Sequence, residues 1–240
     1  MYDYRDSRSN IINILKTETK VIKSKGIPKN DDAFTYKNAY KSWTASIFID
    51  IKDSTKLFKT KDEKLARLMR AFTSEIITIF QDFEEHRQIG IRGDCVYAIY
   101  DVQNKDDLVT IFRIAYRTNT FMKMFNGIIK DYNYKSITAG IGLGCDEELI
   151  IKAGRTGTGV NDKIWIGEAV VDASNLSSTA NRNGVEAIAM SKVYYDNIID
   201  ILKKENPKYA NWIKYYQNSF YHCNIIQKDF DQWIDNGMKG

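Results

Sequence analysis

The feature that most constrains this chain is the way two long helical stripes alternate with short apolar runs. Leu65, Leu68, Met69, Phe72, Ile76, Ile79, Phe80 and Phe83 recur at helical spacing, which predicts an amphipathic helix over 62–83. Leu108, Ile111, Phe112, Ala115, Phe121, Met122 and Phe125 repeat the pattern behind Asp106 and Asp107, two acidic cap candidates. Between the stripes, residues 88–100 read as a hairpin with a tight turn at Gly93-Asp94. Residues 43–51 make a buried strand, and 136–144 and 148–153 two more, parted by a turn at Cys145-Asp146-Glu147. The order is strand, helix, strand, strand, helix, strand, strand. It fits an α+β, ferredoxin-like (split βαβ) domain with both long helices on one face of an antiparallel sheet.

The flanks add to this core. Ile11, Ile12, Ile14, Leu15 and Val21 predict an N-terminal helix over 8–24, ended by Lys25-Gly26-Ile27-Pro28. Downstream come an apolar segment at 163–166, a helix at 168–180, helices around 192–203 and 208–217, a strand near 220–226 and a helical turn at 230–234. The expected division is an N-terminal helix and linker (1–40), a central α+β domain (41–228) and a C-terminal tail (229–240). At 240 residues and 43% hydrophobic, the chain can bury a full core. Its 35 basic and 31 acidic residues are interspersed, so the net charge of +4 signals neither nucleic acid nor a membrane surface. Cys95, Cys145 and Cys223 form no metal or disulfide pattern. The N-terminus lacks an apolar leader and no run approaches a membrane span, so the expectation is a soluble, cytoplasmic protein.

Two aspartates stand out within this frame. Ser46-Ile47-Phe48-Ile49-Asp50-Ile51 and Ile91-Arg92-Gly93-Asp94-Cys95-Val96 each place a carboxylate at the end of an apolar run. A carboxylate at the edge of a core is costly unless a cation or hydrogen bonds satisfy it. A hairpin tip beside a strand end can bring both to one divalent cation. Asp53 and Ser54 are better placed than Asp50 to cap the helix that follows.

These residues resemble a known family. Phe48-Ile49-Asp50-Ile51 followed by Ser54-Thr55 and Leu57, then Arg92-Gly93-Asp94, then Ala139-Gly140-Ile141-Gly142-Leu143-Gly144, are similar to the three core motifs of class III nucleotidyl cyclases. Trp165-Ile166-Gly167-Glu168-Ala169-Val170-Val171-Asp172-Ala173-Ser174 resembles the fourth block. The resemblance spans about residues 43–200. It implies that Asp50, Asp94 and the carbonyl of Ile51 hold two Mn²⁺ or Mg²⁺ ions per site, with Asp50 and Asp94 catalytic. It further implies that amides of Lys52 to Thr55 cradle a triphosphate, that sites are completed in a homodimer, and that the product is a 3′,5′-cyclic nucleotide.

The departures narrow the substrate. Adenylate and guanylate cyclases of the family place a purine-reading side chain four residues before the second aspartate, where this chain has Gly90, and another where it has Ile164. With neither present, the segment from Lys152-Ala153-Gly154-Arg155 to Asn161-Asp162 looks like the Pycsar-type pyrimidine cyclases of bacterial anti-phage signalling. The expected substrate is then UTP, with CTP as the alternative, and the product would act on a downstream cyclic-nucleotide effector. Phe48, Arg92, Arg155 and Asn175 are the candidate nucleotide-binding residues. The family's asparagine and arginine in the fourth-block helix fall on Val171 and Asn175, so charge on the α-phosphoryl oxygens needs another donor. Arg155, Lys152, Arg182 and Asn175 are available. The same departure admits a different class of function, a degenerate cyclase-like module that binds nucleotide without chemistry. Diguanylate cyclases are disfavoured because Arg92-Gly93-Asp94-Cys95-Val96 stands where their hairpin motif would be.

Overall fold

The computed structural model describes residues 2–155 and 157–239, so Thr156 of the glycine-rich segment lies outside the described residues. Helix α1 (Tyr4–Lys16) and strand β1 (Lys20–Lys23) precede the long β2 (Asn38–Ile51). One helical turn, α2 (Ser54–Leu57), leads to α3 (Glu63–Phe80), the hairpin β3 (His86–Arg92) and β4 (Cys95–Asp101), and α4 (Lys105–Asp131). Then follow β5 (Ala139–Gly154), β6 (Asn161–Ile166), α5 (Glu168–Thr179), β7 (Ile188–Met190), α6 (Lys192–Glu205), α7 (Tyr209–Trp212), β8 (Lys214–Tyr216), β9 (Phe220–Cys223) and α8 (Lys228–Asp235).

The strands make one mixed sheet in the order β3-β4-β2-β5-β7-β9-β8, with β1 added to β2 and β6 added to β5. Side chains alternate across a strand, so each strand serves both faces. Ala45, Ile47, Ile49 and Ile51 of β2 and Ile141, Leu143 and Cys145 of β5 point into one core with Phe72, Ile76 and Phe80 of α3, Phe112 and Phe121 of α4 and Tyr194 of α6. Burying each large apolar side chain there contributes about 2 kcal/mol.

The opposite face is built differently. Ser46, Phe48 and Asp50 of β2 stand beside Gly144, Gly142 and Gly140 of β5. Helix α5 lies directly on those glycines: a Cβ at Gly142 would come within 2.0 Å of the Ala173 carbonyl oxygen, and one at Gly140 within 2.2 Å of that of Ser177. The glycine motif is therefore a seat for a helix backbone. Beside α5, the same face carries Asp50. The β5–β6 ribbon curls across toward β3, where Ile150, Ile27 and Phe34 pack with Trp165.

Several expectations change. The pattern assigned to a helix over 8–24 splits into α1, which ends at Lys16, and β1, where Val21 pairs in parallel with Ala39 of β2. No turn occurs at residues 145–147, because β5 runs unbroken from Ala139 to Gly154 and pairs Asp146 with Thr44 and Glu147 with Trp43. The acidic residues that read as a turn serve α5 instead: Asp146 Oδ2 accepts the Glu168 amide at 2.9 Å, and Glu148 Oε1 accepts that of Val170 at 3.3 Å. Gly167, at the head of α5, offers no side-chain cap of its own. Helix α4 is capped by Asn104 in a capping box with Asp107 rather than by the Asp106-Asp107 pair alone. The segment 208–217 is one turn of helix followed by β8. Among the described residues, no helix is long and apolar enough to cross a membrane.

Candidate active site

Asp50 ends β2 and Asp94 sits in the β3–β4 turn, where Gly93 takes φ +64, a conformation that costs a glycine nothing. Asp50 pairs across to Gly140 on one side, and on the other Cys95 lies one step beyond the last pair, Ile49 with Val96. Burial raises the Asp50 carboxyl above the ordinary aspartate range, the neighbouring charge of Asp94 raises it further, and Arg182 pulls it back. Burial and the charges of Asp50 and Asp94 together push the Cys95 thiol up to about 12, so Cys95 stays a neutral thiol between the two carboxylates. The Asp50 carboxylate, with the Asp94 charge near enough to raise it and the Ile51 carbonyl next in the chain, gives a hard-oxygen donor set suited to a divalent cation such as Mg²⁺ or Mn²⁺.

Arg182 is the unexpected neighbour. Its Nη2 donates to Asp50 Oδ2 at 2.8 Å, while Nη1 donates to the carbonyls of Ser177 at 3.0 Å and Ala180 at 2.9 Å. The C-terminal end of α5 therefore holds a guanidinium on the first aspartate. Both side chains are about one-fifth exposed, at 20% for Arg182 and 21% for Asp50. Sequence reasoning named Arg182 only among possible charge donors, because it lies 132 residues from its partner.

Farther along this face is a second cluster. The ring of Phe48, 8% exposed, stacks on Tyr97 with centroids 5.0 Å apart and planes 13° from parallel. Gly90 lies directly opposite Tyr97, and a Cβ there would meet the Tyr97 ring at 2.5 Å. The Tyr97 hydroxyl accepts from Gln88 Nε2 at 3.2 Å, and Gln88 Oε1 accepts from Trp165 Nε1 at 2.6 Å. Ile164, the expected second base-reading position, points to the other face of β6, pairs with Ile151 and is 46% exposed. Trp165 is the β6 side chain that shares a face with Gly90. Strand alternation accounts for the one-residue difference.

The remaining candidates are dispersed. Arg92 is exposed on the hairpin beside Asp94. Asn175 and Val171 lie on the outward face of α5, and Arg155 sits at the tip of the β5–β6 ribbon, at the opposite end of β5 from Gly140. The expected phosphate cradle is also altered, because the Lys52 amide is committed to the Thr138 carbonyl at 2.7 Å. A cavity of about 670 Å³ beginning at Lys52 is lined by Lys52, Lys56, Lys64 and Lys135 together with Asp53 and Asp62.

The chain is 41% identical over 240 residues to a protein named uridylate cyclase from Treponema porcinum, covering 99% of this chain and 82% of that protein. It is 32% identical over 216 residues to another uridylate cyclase, from Gulbenkiania mobilis, covering 86% and 83%. The chain belongs to the uridylate cyclase family. No family model matches it. Solved structures share the fold at low identity. A class III adenylyl cyclase-like ATP-binding protein from Pseudomonas aeruginosa superposes with TM-score 0.71 at 16% identity, over 96% of this chain and 48% of that one. The adenylyl cyclase CyaB from P. aeruginosa superposes with TM-score 0.63 at 19% identity, over 80% and 98%. This nucleotidyl cyclase thus carries the class III fold, with Asp50 on the open side of its sheet and Asp94 in the hairpin turn.

Proposed function

We propose that this cyclase converts UTP to 3′,5′-cyclic UMP and pyrophosphate, as a homodimer with two Mn²⁺ or Mg²⁺ ions per site. The observation that supports this reading is the pairing of Asp50 with Asp94 on a face where the space for a purine-reading side chain at Gly90 is filled by the Tyr97 ring. In the reaction the ribose 3′-oxygen bonds to the α-phosphorus, the bond from that phosphorus to the β-phosphate bridge oxygen breaks, and the hydroxyl proton leaves to solvent. Asp50, Asp94 and the Ile51 carbonyl would hold the ions. When bound, divalent ions supply activation of the 3′-hydroxyl and neutralise charge on the departing pyrophosphate.

The chain's own residues do the rest. Arg182, which pairs with Asp50, would be positioned to meet charge on the α-phosphoryl oxygens in place of the missing helix arginine. The lysines around the neighbouring cavity suit the triphosphate tail, and Phe48 packs on the base. Val171, 49% exposed, and Asn175 give α5 an outward face for a second copy, across which Asn175 and Arg155 would reach the nucleotide. The relatives' name favours UTP over CTP. By family resemblance the setting is cytoplasmic, in anti-phage signalling through an effector of the cyclic nucleotide. Incubating the purified protein with UTP and Mn²⁺ tests the reading. Cyclic UMP and pyrophosphate in equal amounts are expected, both lost in Asp50→Asn and Asp94→Asn; product formation unchanged in those variants would refute the assignment of the metal pair.

A further inference from the structure

We infer that Tyr97 and Gln88, locked by Trp165, form a hydrogen-bond-donating edge that selects uracil over cytosine. This rests on the pyrimidine reading above and adds the atoms that make the choice. The indole N–H of Trp165 can only donate, so its partner at 2.6 Å must be the amide oxygen of Gln88. That fixes the amide: Nε2 faces the Tyr97 hydroxyl at 3.2 Å and must donate to it. The hydroxyl oxygen is then the acceptor, and its own proton has to point elsewhere. Among the described residues the Tyr97 hydroxyl donates to no partner, and neither does the second Nε2 proton. Burial raises the Tyr97 phenol above its ordinary value, so that proton is retained.

Two donors on one edge discriminate between the pyrimidines. Uracil carries a carbonyl oxygen at position 4, which accepts, whereas cytosine carries an amine there, which donates. A carbonyl meets the Tyr97 and Gln88 protons as a partner; an amine leaves donors facing donors, which is costly in a half-buried site. Ring size follows from the same residues. A side chain at position 90 would strike the Tyr97 ring, so the loss of a purine reader and the ring that takes its space are one structural change. Phe48 stacks on the Tyr97 ring and holds it in place.

The test compares kcat/KM for UTP and CTP, and binding of their α,β-methylene analogues by calorimetry, in the intact protein and two variants. Tyr97→Phe keeps the ring and its stack but removes the donor, and the UTP to CTP ratio is expected to fall about tenfold in both measurements. Trp165→Phe releases the amide to rotate, so that Gln88 Oε1 takes the Tyr97 proton and the hydroxyl presents a lone pair; CTP turnover is expected to rise relative to UTP. If Tyr97→Phe does not melt cooperatively, Trp165→Phe decides alone. A ratio unchanged in the variants that fold overturns the donor edge while UTP turnover still stands. A native preference for CTP also overturns it and leaves a pyrimidine cyclase. Turnover confined to ATP or GTP removes the pyrimidine reading beneath it.

Discussion

Arg182 holds Asp50 where, in the proposed reaction, a divalent cation would bind, and its second nitrogen is tied to the end of α5. Removing it should act in opposite directions on two readouts. In Arg182→Ala, Mn²⁺ affinity measured by calorimetry is expected to tighten because a competing cation has gone, whereas kcat should fall about 100-fold from the loss of a charge donor. His222 gives a separate expectation for stability. Burial holds its imidazole below the ordinary value, with Glu186 opposing and Lys214 reinforcing the shift. Its Nδ1 accepts the Glu186 amide at 3.0 Å, which only the unprotonated nitrogen can do. The unfolded chain takes up the proton near pH 6.5 and the folded chain only at lower pH, so this contribution is complete above that value and is lost as pH falls through it. The melting temperature should drop between about pH 7.5 and about pH 5.5, and less steeply in His222→Asn, which keeps an acceptor. At this scale the places of Asp50, Ile51 and Phe48 at the end of β2 and of Asp94 in the hairpin turn were legible, because each lies at a marked point of an apolar run. Gln88 and Trp165 were not. They are 77 residues apart, and nothing local to either reports that a ribbon curls back to join them.

Among the elements, α5 and the glycine strand beneath it carry the most weight. Gly140, Gly142 and Gly144 let the α5 backbone rest on β5, and Asp146 and Glu148 reach up from that strand to satisfy its first amides. Burial raises the Glu148 carboxyl, but the Thr44 hydroxyl and the Val170 amide favour its charged form. Gly142→Ala drives a methyl group to within 2.0 Å of a helix carbonyl that cannot give way. A loss of about 3 kcal/mol in urea unfolding is expected, with cyclase activity falling alongside as α5 lifts from Arg182's anchor. The misread turn in β5 has the same origin. Asp146 and Glu147 have the composition of a turn, but pairing with β2 and the needs of a neighbouring helix override local preference. Both long helices and the hairpin were readable because their apolar spacing repeats over many residues; β1 and β8, only a few residues each, carry too little pattern to separate them from helix.

For the whole molecule, the strand order places Asp50 on the sheet face that the long helices leave open, with Asp94 in the hairpin turn near enough for its charge to act on Asp50, and the same face carries the Phe48–Tyr97–Gln88–Trp165 cluster. In the proposed reaction, chemistry and base choice would lie side by side on one surface. The fold is shared with an adenylyl cyclase-like ATP-binding protein, so architecture alone does not choose the base; in the reading proposed above, the residues around Gly90 would. The most direct measurement is a competition in which the purified protein meets equal concentrations of ATP, GTP, CTP and UTP with Mn²⁺, and the cyclic products are resolved by mass spectrometry. Cyclic UMP is expected to dominate. A product mixture led by cyclic AMP or cyclic GMP would contradict the account.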